Sequence, residues 1–153
     1  MEKFKAYRLS EVEKKIKAEF VECTLDDLDP GELVVRVAYS DVNYKDALAA
    51  TGKGRILLRP SCIGGIDLAG TVISSSAPQF AKGDAVLAVG HLLGVKHHGG
   101  YAEYARIPAA CARIRSSPAS SRATSASPFA CAPTIAASTW IIERISSTER
   151  WLK

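Results

Sequence analysis

The chain has 153 residues, 47% of them hydrophobic, and a formal net charge of +4, a length that allows one domain with its own core. No apolar run reaches the roughly 18 residues of a membrane span, and the N-terminal MEKFKAYRLS has no signal-peptide core, so no membrane partner and a cytoplasmic location are expected. The four cysteines, Cys23, Cys62, Cys111 and Cys131, contain no CxxC pair and read as reduced thiols rather than a disulfide framework.

The averages conceal a division. All 11 glycines lie at or before Gly100, and all ten valines at or before Val95. Residues 1–109 carry 14 basic and 14 acidic side chains, whereas residues 110–153 carry six and two. The whole excess charge therefore belongs to the last 44 residues, and the basic balance is no argument for a nucleic-acid partner.

Apolar and polar residues alternate over 4–9 and again over 16–20, the signature of half-buried strands. Asp29-Pro30-Gly31-Glu32 is turn chemistry, and the β-branched run 33–39 that follows predicts a more deeply buried strand. Residues 43–50 predict a short helix, with Asp41 or Asn43 as N-cap and Gly52 past its end. Further strands are expected at 65–73, after the 80–84 turn and over 99–107, where Gly99-Gly100 leads into a clean alternation. Short strands, glycine turns and one short helix predict a mainly β fold, a partly open β-barrel.

Five stretches then stand in order: Pro30-Gly31-Glu32 before a valine strand, VNYKDALAATGKG, GGIDLAGTV, FAKGDAV and GGYAEYARIP. Together they resemble the GroES-like (chaperonin-10-like) catalytic domain of the medium-chain dehydrogenase/reductase superfamily, over residues 3–109. VNYKDALAATGKG is most similar to the zinc-independent quinone oxidoreductase branch, acrylyl-CoA reductases included. Zinc-dependent members would carry a cysteine where Asn43 stands and a His-Glu pair where Ile66-Asp67 stand. They would also carry clustered cysteines for a structural zinc, and residues 90–109 contain none, so the resemblance implies no metal.

What the resemblance implies is hydride transfer from NADPH to an α,β-unsaturated thioester or carbonyl, or to a quinone. Tyr44 and Asn43 are the implied catalytic and cofactor-binding residues. A phenol offers an apolar face and a hydroxyl, and an amide both donates and accepts. For Asn43 a plain N-cap role is the alternative, and for Tyr44 packing of the first helical turn. Lys53 and Arg55 could meet the acidic groups of a coenzyme A substrate. Lys45 and Asp46 could form part of the same cleft but read as solvated helix charges, Asp67 and Asp84 as structural, and Cys62 as an inert buried thiol rather than a reactive one. His97 and His98 read as ordinary loop histidines, since adjacent residues on a strand point to opposite faces.

Residues 110–153 hold nine serines, nine alanines and five arginines but no glycine. The nucleotide-binding domain such a protein would continue into needs a glycine-rich strand-to-helix turn, so that domain is expected to be absent. A disordered tail or a change of reading frame near Ala110 is the reading of this segment, with 140–153 as a marginal helix. NADPH binding and catalysis by this chain alone are then expected to be weak or absent, and exposed strand edges to favour self-association in a family of homo-oligomers. The competing reading is a non-catalytic β-barrel binding module.

Overall fold

The computed structural model describes residues 2–114; the expectations for residues 115–153 and for Cys131 lie outside them. Strands β1 (Phe4–Val12) and β2 (Lys15–Cys23) form a hairpin in which Val12 pairs with Lys15. Its two turn residues, Glu13 and Lys14, both have positive φ, 50° and 63°, the handedness that matches the twist of the strands it joins. A 3-10 turn at Leu25–Asp27 leads to β3 (Leu33–Tyr39), then α1 (Tyr44–Thr51), β4 (Ser61–Ile63), β5 (Asp67–Ser75) and β6 (Ala85–Val89). After β7 (Tyr104–Ile107), a second 3-10 turn at Ala109–Cys111 feeds β8 (Ala112–Ile114).

The strands form two antiparallel sheets, ordered β2-β1-β4 and β7-β3-β5-β6-β8, and among the described residues they do not close into a barrel. The partly open, mainly β architecture with one helix is thus what the residues build. Leu33, Val35, Val72, Val86 and Ile107 anchor the core of the larger sheet, all within 2% of complete burial. Phe4, Ala6, Cys23, Leu28, Ile63 and Ala102 form the second core. An edge-to-face contact between Phe4 and Tyr104, 5.3 Å between ring centres, joins the two sheets.

Two of the sequence stretches owe their pairing to one contact. A Cβ on Gly31 would stand 2.5 Å from the carbonyl carbon of Ile107, so the turn before β3 can lie against the end of β7 only without a side chain. Next to it, the Ala109 N–H donates to Glu32 Oε2 at 2.9 Å. Pro30-Gly31-Glu32 and Arg106-Ile107-Pro108-Ala109 are therefore the two sides of one junction.

Three sequence expectations need correction. The strand expected over 99–107 begins only at Tyr104. Residues 99–103 instead cross between elements, with Gly99 N–H donating to Ile63 O, Gly100 to Gly65 O and Tyr101 to Gly64 O. The strand expected from Gly65 likewise starts at Asp67, because Gly64-Gly65 is the other half of that crossing. Finally, the fold continues past the expected boundary at residue 109, since β8 pairs Ala112, Arg113 and Ile114 with β6.

Candidate active site

Helix α1 begins where β3 has left its sheet. Asn43 is the N-cap, and Asp46 at the third helical position completes a capping box, its Oδ2 accepting the Asn43 N–H at 3.0 Å. Gly52 closes the helix in the left-handed conformation, φ 71°. The remaining bonds are tertiary. Asn43 Nδ2 donates to Asp67 Oδ2 at 2.7 Å, and the Asp41 N–H donates to Asp67 Oδ1 at 2.8 Å. Asp46 Oδ1 accepts the Ile66 N–H at 3.1 Å. One carboxylate from the helix and one from the start of β5 thus lock the helix N-terminus to the glycine crossing.

Asp46 is 5% exposed, so its reading as a solvated helix charge is wrong. A carboxylate that satisfies two backbone N–H groups at an inter-element junction is better placed inside than out. Tyr101 completes the cluster: its hydroxyl donates to the Asp41 carbonyl at 3.0 Å. Burial first, then the nearby Asp46 and Asp67 carboxylates, raise its pKa well above the ordinary 10, so the phenol stays protonated. The Asn-x-x-Asp spacing was a visible capping signal for Asp46. Nothing local marked Tyr101, which reaches Asp41 across 60 residues of sequence.

The structure separates the sequence candidates into two groups. Asn43 and Tyr44 share the N-terminal end of α1. Asn43 is engaged as cap and as donor to Asp67, whereas the Tyr44 ring is 80% exposed. Lys53 and Arg55 are exposed beyond the other end of the eight-residue helix, about 12 Å away by helical rise. They do not join Asn43 and Tyr44. Asp84 is the turn residue it was expected to be, accepting the Ala81 N–H at 2.8 Å.

His97 and His98 are not ordinary loop histidines. His98 is buried, its Nδ1 accepts the Ile63 N–H at 3.0 Å, and its own N–H donates to Asp29 Oδ2 at 2.8 Å. Both imidazoles approach that carboxylate at 3.9 Å, and Arg59 Nη1 binds it at 2.6 Å. The expected divergence of adjacent side chains fails because the segment is a crossing loop and not a strand. Cys62 beside them is fully buried, with burial pushing its thiol up to about 12, as an inert thiol requires. Among the described residues no three His, Cys, Asp or Glu side chains are grouped to hold a metal ion, and no helix is long and apolar enough to cross a membrane.

Replacing Asp46 by alanine is expected to remove about 2–4 kcal/mol of stability, because two backbone N–H groups lose their acceptor at once. Urea unfolding of Asp46→Ala beside the parent chain measures it. A change under about 0.5 kcal/mol would mean that water replaces the carboxylate without cost.

Residues 29–116 match the alcohol dehydrogenase GroES-like domain. YhfP of Bacillus subtilis, whose name places it among the quinone oxidoreductases, is 48% identical over 83 residues, 54% of this chain and 25% of YhfP. Acrylyl-CoA reductase AcuI of Ruegeria pomeroyi is 40% identical over 95 residues, 62% of this chain and 29% of AcuI. The crystal structure of the yhdH oxidoreductase from Salmonella enterica in complex with NADP superimposes with a TM-score of 0.71 at 40% identity, covering 77% of this chain and 36% of that one. The chain spans roughly a quarter of the length of the curated relatives it matches. The match covers more than half of the chain and includes the helix-to-crossing junction described above: the protein belongs to the alcohol dehydrogenase GroES-like domain family.

Proposed function

We propose that residues 2–114 are the substrate-side half of a zinc-independent, NADPH-dependent oxidoreductase that reduces α,β-unsaturated thioesters of the acrylyl-CoA kind, with quinones as the related substrate class. The observation that carries this reading is the locked N-terminus of α1, which presents an 80% exposed tyrosine beside an anchored asparagine. A large aromatic left in water on an otherwise anchored turn is suited to stacking against a planar partner. The NADP held by the Salmonella oxidoreductase supports a nicotinamide as that planar partner.

NADPH, when bound, supplies the hydride for the β-carbon of the unsaturated substrate. This chain's own residues would do three things. Tyr44 would provide an aromatic face and a hydroxyl on one side of the nicotinamide. Asn43, fixed by Asp46 and Asp67, would hold Tyr44 in register through the helix cap. Its second amide hydrogen remains to orient a carbonyl oxygen. Asn43 where a cysteine ligand would stand, and Ile66-Asp67 in place of His-Glu, support a reaction without zinc. Lys53 and Arg55 are set aside as partners of this end of the helix and kept for a distal phosphate.

The 153-residue chain is expected to show no tight NADPH binding and no acrylyl-CoA reduction. The pyrophosphate and adenosine contacts need a glycine turn that residues 110–153 do not contain. Losing several charge-assisted hydrogen bonds, each worth roughly 1.5–3 kcal/mol, lowers affinity by orders of magnitude. A chain continued beyond Pro108 in the frame of a relative such as AcuI is expected to recover NADPH-dependent turnover, and Tyr44→Ala in it to raise KM for NADPH about tenfold. Robust turnover by the unextended chain would overturn the expected dependence on further residues, and an extended chain that folds yet reduces neither substrate class would overturn the proposed activity.

A further inference from the structure

The β1–β2 hairpin ends in an edge, and the backbone orientation along that edge is settled by its neighbours. On β1, the Lys5 carbonyl accepts from Glu103, the Tyr7 N–H donates to Tyr101 O, and the Glu11 N–H donates to Pro60 O. Odd-numbered β1 residues thus turn their hydrogen-bonding groups away from β2. Pairing Arg8 with Glu19 and Ser10 with Lys17 then makes the even residues of β2, Ile16, Ala18 and Phe20, the ones whose N–H and C=O point outward. Among the described residues no strand pairs with this side of β2, and Phe20 on it is 69% exposed.

We infer that β2 is a self-recognition edge, on which a second copy of this chain adds antiparallel about Ala18. Two-fold pairing requires outward-pointing residues opposite one another, which restricts the register to steps of two. Centring on Ala18 places Lys17 opposite the partner's Glu19 and Glu19 opposite the partner's Lys17. It also sets Ile16 against the partner's Phe20, covering the exposed ring. Sliding one step either way puts Lys17 against the partner's Lys17, or Glu19 against the partner's Glu19, and like charges directly opposite are destabilising. Lys17 and Glu19 already form an ion pair within the strand at 2.8 Å, both side chains well exposed. The dimer therefore joins two pairs into one alternating ring of four charges. Of these three neighbouring registers only the one centred on Ala18 satisfies charge, backbone and apolar cover together, which is the difference between a specified contact and a merely sticky edge.

The experiment is sedimentation analysis of the full 153-residue chain from about 5 to 500 µM, the range suited to a small interface, with circular dichroism to confirm that each variant is folded. Both Lys17→Glu and Glu19→Lys are expected to raise the dimer dissociation constant at least about tenfold, since each creates two like-charge contacts per dimer. An equimolar mixture of the two single variants should dimerise as the parent does, because every Lys17–Glu19 position then faces its opposite charge. The double variant carrying both reversals should dimerise as well. A monomeric parent over the whole range, or association that the single reversals leave unchanged, overturns the assignment. So does a mixture that stays monomeric while both variants are folded.

Discussion

Replacing Gly99 by alanine is expected to prevent stable folding, the largest effect of any single methyl group in this protein. A Cβ at that position would overlap the carbonyl oxygen of Gly65, and it would stand 2.5 Å from the Gly64 oxygen and 2.7 Å from the Gly94 nitrogen. All three are backbone atoms, so no side chain can turn aside, and relief requires pulling the crossing apart. That crossing carries the bonds from Gly99, Gly100 and Tyr101 to residues 63–65, and through Gly65-Ile66 it supports the α1 anchor. A cost above about 4 kcal/mol is expected, against a total of about 5–15 for a domain. Gly83→Ala is the matched control: its φ is +98°, yet nothing lies within 4 Å of the added carbon. Only the left-handed strain remains there, about 1–2 kcal/mol. Thermal unfolding of both variants tests the difference, and near-equal losses would show that the crossing relaxes freely.

The second large effect is acid sensitivity arising at His98 and Asp29, beside Arg59. Burial holds the His98 pKa below its ordinary 6.5, with Asp29 opposing the shift and Arg59 adding to it. Its Nδ1 accepts the Ile63 N–H, which only an unprotonated nitrogen can do. Between the folded value and 6.5 the unfolded chain binds more protons than the folded one, so stability falls as pH drops below 6.5. Asp29 adds a second, lower window. Burial raises its carboxyl, but Arg59 and the His98 N–H outweigh that and leave it below the ordinary 3.8. Its contribution is present above 3.8 and is lost as pH falls through the folded value.

The expected result is a two-step loss of stability on acidification, each step no steeper than about 1.4 kcal/mol per pH unit. His98→Gln should remove the upper step. Asp29→Ala should cost about 2 kcal/mol near neutrality, between an exposed pair and a fully buried one. It should also widen the upper window, because the charge that supports protonated His98 is gone. Urea midpoints from pH 3 to 8 measure both. An upper step that survives in His98→Gln would assign it to another group.

The legible parts of this fold were those encoded in adjacent residues. The β-branched run from Leu33 to Tyr39 is a buried strand at the bounds expected for it, because its side chains fill one core wherever the strand is placed. Asn43 as N-cap and Gly52 as closing residue were readable because capping is a local exchange of hydrogen bonds. The glycine stretches were legible as sites of close approach but not as partners. Gly65, Gly99 and Gly100 meet across 34 residues, and no periodicity records that distance.

Long-range contacts set which polar side chains became interior. Asp46 reads from sequence as one more helix charge, and His98 as half of a loop pair. Both are buried because backbone N–H groups from a remote segment, Ile66 and Ile63, arrive without other acceptors. Desolvation alone would exclude these groups, and the unmade bonds reverse the preference. Tyr44 went the other way, an aromatic that sequence could assign equally to packing or to a ligand, left in water by the geometry of its own helix. Adjacent residues thus specified the β3 strand, the helix cap and the order of the turns, since those rest on contacts a few positions apart. Burial of charge waited on long-range contacts, since a carboxylate is retained inside only where the chain brings donors to meet it.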